Sequence, residues 1–226
     1  MPPPAQPVDL TREFLLRGGV LAPGVRRDLT DLNRQFLDLG LAAEFAADPR
    51  FGWSDPVRIG LQRTDAATRD RMAVCPFALF EIRLPADHSL AGPMPSRVED
   101  GRGPAGDADP RHVRCLAFVH FALFVAWRFT DSAPLATRIA LGLSPQAELQ
   151  LHEMCPSEVA RLAGCPELIR PRWRADHRFW SMLSGAAQQD STPSLQRAHC
   201  VGICLMDPGC DESGVAAPES TRKPPR

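Results

Sequence analysis

The sequence predicts an all-α protein built from two related helical units, and three observations predict it. Apolar residues recur at spacings of three and four, as on one face of a helix (Leu29, Leu32, Phe36, Leu39, Ala43). Serine or aspartate repeatedly precedes a proline, at Ser54-Asp55-Pro56, Asp109-Pro110 and Ser144-Pro145. That order pairs a capping side chain with the residue best suited to a first helical turn. A segment also recurs 80 residues later: Arg58-Ile59-Gly60-Leu61 leads to Cys75-Pro76 just as Arg138-Ile139-Ala140-Leu141 leads to Cys155-Pro156, and Ala67 matches Ala147. Self-similarity at one offset suggests a tandem duplication.

Residues 1–26 make a proline-rich extension expected to be partly disordered. The first helical unit covers 27–84. Its opening helix runs from Arg27 to Ala46 and ends at Asp48-Pro49-Arg50-Phe51-Gly52. Ser54-Asp55-Pro56 starts a second helix that reaches about Val74, where Cys75-Pro76 breaks it. Phe77 to Leu84 is a short apolar element whose type the pattern leaves open. Residues 85–109 are rich in Gly, Pro and Asp without apolar periodicity, and read as a flexible linker.

The second unit covers 110–185. Its long helix reaches about Thr130 and is apolar nearly all round, through Leu116, Val119, His120, Leu123, Trp127 and Phe129. Such a helix should be enclosed by other helices or by a second subunit. The apolar run from Leu116 to Phe129 falls short of the roughly 20 residues a bilayer requires, and no membrane segment is expected. Ser132 to Leu141 forms a short helix closed by Gly142. Ser144-Pro145 starts the next, to Met154, and Cys155-Pro156-Ser157-Glu158 starts another that Gly164 stops. Pro166 could begin one more element, but Pro171 limits it. Residues 186–226 turn polar and are expected to form a disordered tail.

A chain of 226 residues has room for one or two domains and a core that needs no staples. A net charge of −1 offers no global attraction for nucleic acid, so any such attraction must be local. Seven cysteines form no disulfide framework, and Met1-Pro2-Pro3-Pro4 does not open a secretory signal. A cytoplasmic protein with reduced thiols is expected.

Two stretches could carry function. Leu143 to Ile169 reads as helix, tight turn, helix, tight turn. Within it Ser157 to Gly164 looks like the first helix and turn of a helix-turn-helix, with Arg161 on its surface. The reading helix that should come after it has only Glu167 to Arg170 between two prolines, so an ordinary helical hairpin is the competing reading. Next comes Arg170-Pro171-Arg172-Trp173-Arg174-Ala175-Asp176-His177-Arg178. Arginines interleaved with aromatics suit phosphate contacts and stacking, or a protein interface. They also suit a solvated basic face anchored by its tryptophans. The candidate DNA- or partner-binding residues are therefore Arg161, Arg170, Arg172, Trp173, Arg174, His177 and Arg178.

Asp176-His177 and Asp87-His88 pair a carboxylate with an imidazole, but sequence neighbours do not face one another and no nucleophile motif accompanies them. An enzyme is not expected. His199-Cys200, Cys204 and Cys210 form a metal-like cluster with one close pair where zinc sites use two, so free thiols are the expectation and no metal or cofactor is assigned.

From about Val119 to Trp180 the chain resembles FlhD, the flagellar transcriptional activator subunit of proteobacteria. The resemblance runs through Leu123, Ala126-x-Arg128, Gly142-x-Ser144, Leu151, Leu162-Ala163 and Asp176-His177, without a gap. In the first unit Asp31-Leu32-Asn33 is similar to the family's opening helix and Arg58-Ile59-Gly60 to its central one, though that half needs insertions. The resemblance implies an all-α regulator that dimerises through long helices and binds promoters with a zinc-bearing partner, FlhC. The departures are the doubled length, the extra unit and Pro171 in the DNA-proximal segment. The protein is therefore expected to be a DNA-bound activator of flagellar or related genes acting with an FlhC-like partner. A helical adaptor without DNA contact is the alternative.

Overall fold

The computed structural model describes residues 21–42, 45, 53–84, 109–132 and 134–206. Within them the chain forms nine α-helices and one two-stranded antiparallel ribbon, so the all-α expectation holds. The helices are α1 (Pro23–Leu41), α2 (Asp55–Gln62), α3 (Ala66–Ala73), α4 (Pro110–Ser132), α5 (Pro134–Leu141), α6 (Pro145–Glu153), α7 (Pro156–Leu162), α8 (His177–Gln188) and α9 (Thr192–Cys204). The strands are β1 (Phe80–Ile82) and β2 (Ile169–Pro171), and a 3-10 turn, Pro166–Leu168, leads into β2.

Local chemistry accounts for most of the boundaries. Ser144 caps α6 by accepting from the Ala147 N–H, and proline stands next in the first turn. Asp109 Oδ1 accepts from the Arg111 N–H at the start of α4. Glu158 reaches back to the Cys155 N–H at 2.8 Å, closing a capping box at α7. Gly142 ends α5 at φ +66°, where a side chain would be strained. The expected second helix is two: Asp65 accepts from the Thr68 N–H and restarts the chain as α3, so one apolar pattern had run across a real break.

The two expected units and part of the expected tail are in contact with one another. α1 and α4 pack together, and α5, α6 and α7 pack on α4. The helices after β2 return to the first half: α8 lies on α2 and α3, and α9 lies on α8. A single apolar core therefore runs from Leu21 to Ile203. The reason is area. Leu61, Met72 and Phe77 are each 1% exposed or less, and Phe179, Trp180 and Leu183 join them in that core. Fully burying one such side chain is worth about 1.5–3 kcal/mol, and helix faces this apolar stay together. Residues 192–204, assigned to a disordered tail, are helix α9, capped by Ser191 with Pro193 in its first turn. The extension likewise ends earlier than expected, since α1 starts at Pro23 and Leu21 is core. The linker, apart from Asp109, and residues 207–226 lie outside the described residues, as do residues 1–20.

Asn33 fixes the inner end of the first half. It is fully buried on α1, donates from Nδ2 to the carbonyls of Ala73 and Phe77, and accepts from the Leu79 N–H at 2.8 Å. Those bonds hold the turn between α3 and β1. β1 then pairs with β2 in the register Phe80↔Pro171, Glu81↔Arg170, Ile82↔Ile169.

α4 is longer than its apolar run suggested, 23 residues with a mean hydropathy of 1.4 over its most apolar stretch. By length and composition it could cross a membrane. Half of that stretch is buried against the other helices, the position of a core helix.

Candidate functional site

Residues 169–180 form a strand, a tight turn and the start of α8, and each step is pinned. The Arg172 N–H donates to the Leu79 carbonyl at 3.0 Å, extending the ribbon by one bond. Trp173 comes next at φ +49°, a conformation that costs a side chain about 1 kcal/mol. Its ring offsets that cost by packing edge-on against Phe77 and Phe179, with centroids 5.5 and 4.5 Å away. Its carbonyl accepts from Trp180 Nε1 at 3.1 Å and from the Asp176 N–H at 2.9 Å. The Arg174 carbonyl accepts from the Ser54 N–H, tying the turn to the start of α2. Asp176 Oδ1 accepts from the N–H groups of Arg178 and Phe179, capping α8. That oxygen caps the helix that His177 begins. Asp87-His88 lies outside the described residues.

This scaffold sorts the predicted site residues into two groups. Arg170, Arg174, His177 and Arg178 are exposed along the strand, the turn and the first turn of α8. None of those three arginines joins a salt bridge among the described residues. Arg161 is exposed on α7, a different element, packed on α4.

Arg172 was expected on the same exposed face and is not there. It is 6% exposed, and Trp173 beside it is half-buried in the core. The Arg172 guanidinium lies 5.5 Å from the Trp173 ring centroid, and its Nη1 donates to the Met206 sulfur at 2.7 Å. Its Nη2 is buried with no partner. Burial lowers its pKa to about 10, opposed by the charge of Glu81, and it stays a cation at neutral pH. Gly142 makes the space: a Cβ there would stand 2.1 Å from Nη2. Gly142 also marks the carboxyl end of α5, whose partial negative charge favours a cation without supplying a carboxylate. Arg172 is thus a buried strut joining the ribbon, the α5–α6 turn and the end of α9.

The helix-turn-helix-like segment keeps its helix-turn-helix-turn outline in α6 and α7. The reading helix is replaced by the three-residue 3-10 turn and β2. Glu81 on the neighbouring strand and Arg83 just past its end were not among the predicted site residues. Glu81 faces Arg170 across the ribbon, and Arg83 sits 2.6 Å from Glu81 through Nε and Oε1. Their signal was present, because Phe80-Glu81-Ile82-Arg83 alternates apolar and charged as a half-buried strand does. The described residues contain no lysine, so every long-chain cation here is a guanidinium, suited to bidentate phosphate contact.

The carboxy-terminal cysteines do not converge with His199. Cys200 and Cys204 are exposed on α9, whereas His199 turns inward, edge-on to Phe77, with Nε2 buried and burial lowering its pKa. Cys210 lies outside the described residues. An open apolar groove between α4 and α7 is lined by Val113, Leu116, Ala117, His120, Phe121, Phe124, Ala160, Ala163 and Gly164. Comparison with protein-family models, with curated proteins and with solved structures found no match to this chain.

Proposed function

We propose that this chain is a regulatory subunit of the FlhD type, working in the cytoplasm, that contributes phosphate contacts to a promoter complex. One observation carries the reading: Arg170, Arg174 and Arg178 are exposed, free of salt bridges among the described residues, and mounted on a backbone locked at every step. Phosphate contacts position a protein on DNA but do not specify sequence. No helix of reading length comes directly after α7, so base selection belongs to a partner, and the resemblance points to an FlhC-like subunit and to flagellar or related genes. The test is fluorescence anisotropy on duplex DNA over a salt series, with and without the co-purified partner. Replacing all three arginines with alanine is expected to weaken binding uniformly across sequences. It should flatten the log–log salt slope by about 0.9 for each phosphate no longer neutralised. Absence of salt-dependent binding with or without partner would sink the reading.

The α4–α7 groove favours a second reading, a helical adaptor without DNA contact. Val113 is 50% and Phe121 37% exposed there, a surface suited to another helix, whether from a partner or a second copy. In that case partner binding survives the triple arginine replacement unchanged and Phe121→Asp abolishes it.

A further inference from the structure

The ribbon brings together charges from both halves of the chain. Residues two apart on a strand share a face, so Glu81 and Arg83 on the β1 side stand with Arg170 on β2, given the Glu81↔Arg170 register. Arg172, just past the end of β2, is near enough for the Glu81 charge to act on it. One carboxylate therefore stands among three guanidiniums. Glu81 is committed to Arg83 at 2.6 Å, the two side chains being 29% and 59% exposed. Arg170 lies directly opposite, at a separation where cross-strand side chains meet, yet forms no salt bridge among the described residues. Arg172 is a buried cation whose unpartnered Nη2 lies beside Gly142, and solvent and salt screen such a charge far less than an exposed one. The face holds more positive charge than its carboxylate balances. A phosphate group, with several acceptor oxygens, can take bidentate contacts from two guanidiniums at once.

We propose that this ribbon face is a phosphate-binding site in which Glu81 acts as an internal competitor. In the free protein its carboxylate holds Arg83. A phosphate replaces it between Arg83 and Arg170, and the charge of Arg172, which already acts on Glu81, adds to the attraction. As a DNA contact the site rests on the regulator reading above, whereas as an anion site it stands without it. The competitor role makes Glu81 and Arg83 specificity-setting residues contributed by the first half of the chain.

The full-length chain is titrated with duplex DNA and, separately, with inorganic tripolyphosphate, as wild type and as Glu81→Gln, Arg83→Ala, Arg170→Ala and Glu81→Gln/Arg83→Ala. Glu153→Gln, exposed on α6, is the charge-matched control. Glu81→Gln is expected to tighten both ligands by roughly fivefold, the upper range for releasing one surface ion pair. Arg83→Ala and the exposed Arg170→Ala should weaken both, and in the double variant the gain from Glu81→Gln should vanish. Unchanged affinity in Glu81→Gln for both ligands, or an equal gain in Glu153→Gln, overturns the proposal. Tripolyphosphate tightened without any DNA binding keeps the site and sinks the regulator reading. DNA binding unchanged in all of these variants but lost in an added Arg174→Ala/Arg178→Ala variant does the reverse.

Discussion

In the first half of the chain α1 leads through α2 and α3 to β1, and in the second α4 leads through α5 and α6 to β2, with α7 and a 3-10 turn interposed. The repeated Arg-Ile-x-Leu lies near the end of α2 in one half and of α5 in the other. The two segments part three residues after the Cys that opens each Cys-Pro. Glu158 closes a capping box on Cys155 and nucleates α7. Its counterpart, Ala78, has no carboxylate to offer, and its N–H donates to the Ala140 carbonyl instead, at the entrance to β1. The helix start and the strand approach are thus held by different bonds. The long helices differ as well. α1 carries a buried polar clamp at Asn33 and flanking ion pairs from Arg34 to Asp31 and Asp70. α4 has no such buried polar clamp: it packs through apolar side chains, with Trp127 Nε1 donating to the Met154 carbonyl and exposed ion pairs from Arg128 to Asp28 and from Asp131 to His152, and leaves apolar side chains in the open. A shared element order does not impose a shared means of stabilisation.

The largest effect that would test this contrast is at Asn33. Asn33→Leu leaves the Leu79 N–H and two carbonyls without their partner inside the core, and is expected to cost on the order of 4 kcal/mol in urea denaturation. A cost below about 1 kcal/mol would remove the polar clamp from the description of α1. Next comes the claim that α9 closes the core of the first half. A Cβ on Gly202 would stand 2.3 Å from the Phe77 ring and 3.1 Å from Phe179, so Gly202→Ala should lose about 1–3 kcal/mol by thermal denaturation. An unchanged melting temperature would place α9 outside the core.

The capping box offers a smaller, pH-dependent test. The Cys155 N–H, followed by the Cys155 side chain, holds the Glu158 carboxyl below its ordinary value. A depressed folded pKa means that its contribution is present above the unfolded value near 4.5 and is lost as pH falls through the lower folded value. Glu158→Ala should remove that acid-side slope from the stability profile, while Ala78→Ser should leave it alone. If Glu158→Ala keeps the wild-type slope, the explanation for why α7 exists only in the second half fails. The smallest effect belongs to the open side of α4. Phe121→Ser is expected to change stability by no more than about 0.5 kcal/mol, measured against the Asn33 variant in the same buffer.

Helix starts were the most legible part of the sequence. Pro56, Pro110, Pro145 and Pro156 all stand in first turns, and Gly142 ends α5 as its position suggested. The same signal was overlooked where composition argued against it. Ser191-Thr192-Pro193 is a cap with a first-turn proline, but its polar surroundings read as tail. Asp65 capped α3 without a proline, and apolar spacing concealed the break. The candidate site was legible in part. Arg170, Arg174 and Arg178 are exposed as expected. Arg172 carries the same residue type in the same alternating stretch, yet it is buried, with its guanidinium beside the Trp173 ring, the Met206 sulfur and Gly142. Nothing periodic distinguishes it from its neighbours.

The sequence by itself determined the helical class, most helix starts and the crowding of guanidiniums near residues 170–178. These are decided by caps, prolines and spacings that act within a few residues. Tertiary structure alone decided that the two halves share a core, that β1 meets β2 with Glu81 opposite Arg170, and that Arg172 is swallowed while the face of α4 is left bare. Those outcomes depend on which distant apolar surfaces cover one another, and burial on that scale outweighs the preference of any single side chain for water.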